Sequence, residues 1–223
     1  MVIKALVFDF DGLILDTEEP VFQSWRELFQ TYGYDLTLAD WEICIGSAEG
    51  TSTFFDNLED KVGRPLDLDA VGPQRLEREL ELVAKQPLRP GVSEYIQGAL
   101  EKGLKLGVAS SSSCKWVTGH LEQRGLRDSF DCVLGADDVQ VTKPDPALYL
   151  SVLECLEVSA QHAIAFEDSP NGVKAAKQAG LFCVVVPNTI TSQLKIEGAD
   201  LLLDSLKDLP LGELIARVDG MRG

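Results

Sequence analysis

The 223-residue sequence predicts an α/β protein, a doubly wound parallel sheet flanked by helices, with an α-helical domain inserted after the first strand. Three observations lead there. Short apolar runs alternate with amphipathic segments that close on glycine, and two of those runs end on paired acids. One long interval after the first run has helical periodicity and no convincing strand. Apolar runs that do not alternate are what strands buried on both faces look like, and parallel neighbours need a helical crossover between them.

The first strand is expected at residues 3–8, running into Asp9-Phe10-Asp11-Gly12. Side chains two apart on an extended segment share a face, so Asp9 and Asp11 should converge at the carboxyl edge of the sheet. Gly12 lets the backbone turn away. Adjoining carboxylates raise one another's pKa, so the pair points to a metal, a shared proton, or a general acid beside a nucleophile. By itself the Asp-x-Asp string also suits an exposed turn that caps the strand.

The interval that follows is expected to form a helical domain over residues 16–89, leaving 1–15 and 90–223 for the sheet domain. Pro20 stands in a first helical turn, Val21, Trp25, Leu28 and Phe29 form an apolar stripe, and Gly33 ends it. Further helices are expected at 37–45, 50–62 and 68–84, and Pro87, Pro90 and Gly91 mark the return. An insertion at this place emerges beside the carboxyl edge, where it could act as a lid. Trp25, Phe29, Trp41, Phe54 and Phe55 suit either its substrate face or its own core.

Beyond the insertion, helices are expected at 93–102 and 115–124, around a second strand at 104–109. That strand runs into Ser110-Ser111-Ser112-Ser113, where small hydroxyls, backbone N–H groups and the head of the next helix suit phosphate oxygens. A solvated, capped connection is the other reading. A third strand at 132–134 precedes Thr142-Lys143-Pro144-Asp145-Pro146. Pro144 restrains Lys143, which reads as surface decoration or as a directed positive charge, and a helix can start at Pro146. The fourth strand, 163–166, closes on Glu167-Asp168-Ser169-Pro170, with Ser169 able to cap a helix whose first residue is Pro170. That helix continues over 173–179, followed by a strand at 182–186 and a weaker one at 199–203. Paired acids ending a buried strand are destabilising unless they coordinate something. Oxygen-rich ligation of this kind points to magnesium.

The composition, 45% hydrophobic and 25% charged, is that of a soluble globular protein. A formal net charge of -16 argues against a nucleic-acid partner, which needs clustered Lys and Arg. The same charge repels anions, so a phosphorylated ligand requires a bound cation or a local basic group. Cys44, Cys114, Cys132, Cys155 and Cys183 are odd in number and widely spaced, so neither a disulfide framework nor a thiolate zinc site is expected, and a reducing cytoplasm fits. No stretch is long and apolar enough to suggest a membrane span or a leader.

Taken together, the Asp9 segment DFDGLILDTE, VASSS around Ser110, KPDP from Lys143 and EDSPNG from Glu167 resemble the haloacid dehalogenase superfamily of aspartyl-nucleophile phosphotransferases. The similarity is to the phosphoglycolate-phosphatase and beta-phosphoglucomutase branch, which has a Rossmann-like core and a small helical cap. It implies that Asp9 is the nucleophile and Asp11 the general acid and base. It further implies that Asp9, Asp168 and the Asp11 backbone carbonyl hold magnesium, with Glu167 supporting them. Ser110 and Lys143, together with Gly12 and Ser111, would bind the phosphoryl group. Asp11 argues for transfer to or from oxygen, since a carbon–halogen bond needs no acid there.

The resemblance to mutases would require a His near Val21 and an Arg within Gly46-Ser47-Ala48-Glu49; neither is present, although Arg64, Arg75, Arg78 or Lys85 could substitute. The expected function is a magnesium-dependent phosphomonoesterase acting as a monomer on a small phosphorylated metabolite. A beta-phosphoglucomutase-type mutase and a non-catalytic binding protein on the same fold are the alternatives. His120 and His162 stand apart from these motifs.

Overall fold

Six parallel strands form one sheet in the order β3-β2-β1-β4-β5-β6. They are β1 (Ala5–Phe8), β2 (Lys105–Ala109), β3 (Cys132–Leu134), β4 (Ala163–Glu167), β5 (Phe182–Val185) and β6 (Leu201–Leu202). The computed structural model describes residues 2–42 and 50–222. It divides into a sheet unit, Met1–Leu15 with Leu88–Gly223, and a helical unit, Asp16–Pro87.

Strands β1 and β5 and the core of β4 are buried throughout, which is why they read as continuous apolar runs. Phe8 is level with Val108 on one side and with Phe166 on the other. The carboxyl ends of β1, β2 and β4 therefore lie abreast, at the place where the strand order reverses on either side of β1. In open α/β sheets that is where ligands bind.

One face of the sheet packs Val7, Ala165 and Cys183 against Leu148, Val152 and Val173 of the flanking helices. On the other, Phe8 stacks on Phe166 at 4.8 Å, and Tyr95 meets Phe166 edge-on at 5.5 Å. Burying such a ring contributes roughly 1.5–3 kcal/mol.

The helical unit contains α1 (Glu18–Thr31), α2 (Leu38–Glu42), α3 (Gly50–Val62) and α4 (Leu68–Ala84). Four of its aromatic residues are core: Trp25, Phe29, Trp41 and Phe54 are buried, with Trp41 stacked on Phe54 at 4.8 Å and Trp25 meeting the half-buried Phe55 at 4.7 Å. Arg75 lies over the Trp25 ring at 4.6 Å and binds Ser24 Oγ and Glu79, while Arg78 binds Glu27 and Glu81. The end of the helix expected at 37–45 and the loop Gly46-Ser47-Ala48-Glu49 lie outside the described residues.

The sheet unit adds α5 (Val92–Glu101), α6 (Cys114–Gln123), α7 (Ala147–Cys155), α8 (Pro170–Gln178) and α9 (Leu211–Arg222). Ser113 caps α6 by accepting from the Trp116 N–H at 3.2 Å, and Ser169 caps α8 by accepting from the Gly172 N–H at 3.1 Å. No helix among the described residues is long and apolar enough to cross a membrane.

Two expectations need correction. The helical segment returns to the sheet unit after Pro87, two residues before the expected boundary, because Leu88 pairs with Leu15 and the Arg89 N–H donates to the Ile14 carbonyl at 3.0 Å. Cysteine spacing also misled: Cys132 and Cys155 form a disulfide across 23 residues. The cause is topological. Helix α7 runs back alongside β3 and brings the two Cα atoms to 6.3 Å, a proximity that linear spacing does not encode. The spacing therefore no longer bears on the redox compartment. Cys114 and Cys183 are thiols.

Candidate active site

Strand β1 stops at Phe8, and the backbone beyond it folds tightly on the Phe10 carbonyl, which accepts from the N–H groups of Ile14 at 2.9 Å and Leu15 at 3.2 Å. Gly12 makes the turn possible, with φ at +77°. A Cβ there would lie 2.2 Å from Asp168 Oδ2 and 2.5 Å from Asn188 Nδ2. The glycine is thus required for the loop after β1 to approach the loops after β4 and β5. Its N–H donates to Leu15 at 2.7 Å, and its carbonyl accepts from Arg89 Nη1 at 2.5 Å. Arg89 also donates to the carbonyls of Val186 and Pro187. Both backbone groups of Gly12 are thus engaged in this scaffold.

Within reach of that turn, one carboxylate oxygen each from Asp9, Glu167 and Asp168 gather within 4.8 Å of one another. All three acids are buried, Glu167 completely. Lys143 joins them from the loop after β3, immediately before a cis Lys143–Pro144 peptide. Its ammonium donates to Asp9 Oδ1 at 2.5 Å and to Glu167 Oε1 at 2.6 Å. Glu167 Oε1 also accepts from the Tyr149 hydroxyl at 2.6 Å, and Oε2 from the Asp168 N–H at 3.1 Å and Ser169 Oγ at 3.3 Å. Asp168 Oδ2 accepts from Asn188 Nδ2 at 2.7 Å.

Three buried carboxylates beside one ammonium leave an excess of negative charge in a region with little access to water. Burial pushes the Asp9 carboxyl up to about 8; Lys143 opposes that shift, while Glu167 and Asp11 add to it. Lys143 moves upward from its ordinary value, since its attraction to Asp9 and Glu167 outweighs the desolvation that alone would lower it. An all-oxygen donor set with surplus negative charge fits a hard divalent cation such as magnesium. A bound cation would also relieve the repulsion that raises Asp9.

The Asp11 carboxylate is not part of this group. Because the chain turns at Phe10, the two-residue alternation expected of an extended segment breaks down. Asp11 instead faces the loop after β2, where Oδ2 accepts from Ser110 Oγ at 3.1 Å and Oδ1 from Trp116 Nε1 at 2.9 Å. Ser110 is fully buried at the end of β2, and Ser111 is exposed beside it. Asp9, Glu167, Asp168 and Lys143 are therefore brought together, and Asp11 and Ser110 form an adjoining pair.

Tyr149, Asn188, Arg89 and Trp116 were not anticipated. Asn188 follows a buried strand, the same signal that marked Asp9 and Glu167, so it could have been found. Tyr149 and Trp116 lie in helices and gave none.

Gly172, in the first turn of α8, is needed for a different reason: an added Cβ would sit 1.9 Å from the Glu167 carboxyl carbon. Helix propensity alone makes Gly→Ala favourable by about 1 kcal/mol. Overpacking at about 3 kcal/mol should prevail, so Gly172→Ala is expected to lower the urea unfolding midpoint with little change in slope. An unchanged or raised midpoint would show that the helix can shift away from Glu167.

A doubly wound sheet whose strand ends gather buried acids around a lysine has the architecture of an α/β enzyme. The family described as haloacid dehalogenase-like hydrolase matches residues 6–186. The chain is 45% identical over 213 residues to the Bacillus subtilis (strain 168) protein named "Putative phosphatase YhcW", covering 96% of each. It is 34% identical over 182 residues to the "Phosphorylated carbohydrates phosphatase" of Thermotoga maritima, covering 80% of this chain and 82% of that one. The crystal structure of CbbY from Rhodobacter sphaeroides in complex with phosphate matches with a TM-score of 0.78 at 31% identity, covering 96% of this chain and 99% of that one. The chain belongs to the haloacid dehalogenase-like hydrolase family and is an enzyme of its phosphatase class.

Proposed function

We propose that the chain is a magnesium-dependent phosphomonoesterase that hydrolyses a small phosphorylated metabolite, of the phosphorylated-carbohydrate kind, through an aspartyl-phosphate intermediate. The observation that carries this reading is the Lys143 ammonium bridging Asp9 and Glu167 inside a buried group of three acids. The ammonium offsets part of the negative charge there, and a bound cation would offset the rest, which is what an otherwise acidic protein needs to admit phosphate.

Asp9 attacks phosphorus, the bond to the ester oxygen breaks, and the leaving oxygen takes a proton from Asp11. Asp11, now ionised, takes a proton from water as that water attacks the aspartyl phosphate. Inorganic phosphate leaves and the Asp9 carboxylate is restored. Ser110 and Lys143 contact phosphoryl oxygens, and Glu167 holds Lys143 in place through the bond described above. Asp9, Asp168 and the Asp11 backbone carbonyl, supported by Glu167, would hold magnesium, which supplies charge that stabilises the equatorial oxygens.

A hydrolase is favoured over a mutase because the His and Arg that the mutase resemblance requires are absent, and because Arg75 and Arg78, two of the four candidate substitutes, are already bound to carboxylates of their own unit. The test is release of inorganic phosphate from p-nitrophenyl phosphate and from a panel of sugar phosphates, with EDTA and with magnesium. Magnesium-dependent release is expected, fastest on a sugar phosphate. No release from any ester overturns the proposal. Conversion of beta-glucose 1-phosphate in the presence of glucose 1,6-bisphosphate, without net phosphate release, replaces it with a mutase.

A further inference from the structure

We propose that Trp116 is a positioning residue that decides which oxygen of Asp11 carries the transferable proton. This rests on the reading of Asp11 as general acid and base. The indole N–H can only donate, and it donates to Asp11 Oδ1 at 2.9 Å. Oδ1 is thereby committed as an acceptor. When Asp11 is protonated, the hydrogen resides on Oδ2, the oxygen 3.1 Å from Ser110 Oγ. Ser110 is the hydroxyl read as touching the phosphoryl group, so Oδ2 is the oxygen on the reacting side.

The present partners of Ser110 make the division of labour clearer. Its Oγ already accepts from the Ser112 N–H at 3.0 Å, and its own hydrogen is directed at Asp11. If that hydrogen turns to a phosphoryl oxygen, the Trp116 bond still holds the Asp11 carboxyl. Trp116 is itself held on both sides. Its backbone N–H is taken by the Ser113 cap, and its ring meets His120 edge-on at 4.3 Å. His120 in turn stacks on Phe10 at 6.1 Å, the residue between the nucleophile and the acid. The indole is thus fixed to the loop it orients, and a proton donor held in one geometry avoids a search at the moment of bond breaking.

A lost proton donor matters only when the leaving group needs a proton. The discriminating measurement is therefore the single-turnover rate of phenol release from p-nitrophenyl phosphate, whose leaving group departs as an anion, and from phenyl phosphate, whose leaving group is more basic. Trp116→Phe keeps an aromatic ring against His120 and removes the N–H. It is expected to stay within about threefold of the parent on p-nitrophenyl phosphate and to fall about 10- to 100-fold on phenyl phosphate. Asp11→Asn should discriminate in the same sense and more steeply. A second form, with 3-benzothienylalanine at position 116, keeps the ring shape without the donor and should match Trp116→Phe, which guards against a folding defect.

Equal slowing on both esters by either form at position 116, with discrimination retained in Asp11→Asn, makes Trp116 a packing residue and overturns the proposal alone. Parent rates on both esters in the benzothienyl form do the same. Equal slowing of both esters in Asp11→Asn overturns the reading of Asp11 as the acid.

Discussion

Asp9→Asn is expected to abolish turnover, by roughly 10⁴-fold or more, while leaving the fold intact. An amide has the shape of the carboxyl group but is a poor nucleophile. The structural cost is small because Lys143 keeps its bond to Glu167 at 2.6 Å and is not orphaned. Burial raises the Asp9 carboxyl to about 8, so its ionised form is disfavoured in the metal-free fold. Replacing it with a neutral group should leave the melting temperature in EDTA unchanged or higher. Residual activity near the parent's would remove Asp9 as nucleophile, and a large drop in melting temperature would show that the carboxylate is needed structurally.

Lys143→Met is the complementary case, with a large loss expected in stability as well as in rate. Removing the ammonium leaves Asp9, Glu167 and Asp168 buried together without their compensating charge, and breaking a buried pair in this way costs about 3–5 kcal/mol. For a chain of this size that corresponds to a melting temperature lower by on the order of 10 °C. Pairing raises Lys143 above its ordinary value of 10.5, so on the basic side its contribution is full up to that value and is lost as pH rises through the folded value, while on the acid side it lasts only as long as its carboxylate partners stay ionised. Magnesium should restore part of the variant's loss, because a cation that binds only the folded state stabilises it. A larger gain on adding magnesium than in the parent is expected by calorimetry. Equal melting temperatures for variant and parent in EDTA would show that the acids do not repel as strongly as their burial implies.

The parts of this protein legible from sequence were those fixed by local chemistry. Strands β1, β4 and β5 are buried on both faces, so their apolar runs, and the polar residues that end them, stand out. The helix starting at Pro170 was visible because Ser169 and Pro170 satisfy a helix start by themselves. Asp9, Glu167 and Asp168 were found as strand-end acids, and Lys143 through the proline beside it. What escaped depends on contacts between distant segments. The direction of the Asp11 carboxylate is set by a turn at Phe10, which the Asp-x-Asp spacing does not reveal. The Cys132–Cys155 bond needs the path of α7 beside β3. Tyr149 looks like another apolar helix residue until its hydroxyl is seen on Glu167, and Trp116 until its N–H is seen on Asp11.

The pairing of Leu15 with Leu88 has a consequence for how this enzyme can diversify. The chain leaves and re-enters the sheet unit through adjacent, hydrogen-bonded residues, and Arg89 fastens the return to three carbonyls. To the sheet, everything between is a loop whose ends are already tied. Closure entropy rises by only about 0.6 kcal/mol for each doubling of loop length. The intervening segment can therefore lengthen, shorten or be exchanged while the acids of the sheet unit keep their places, at little thermodynamic risk to the chemistry.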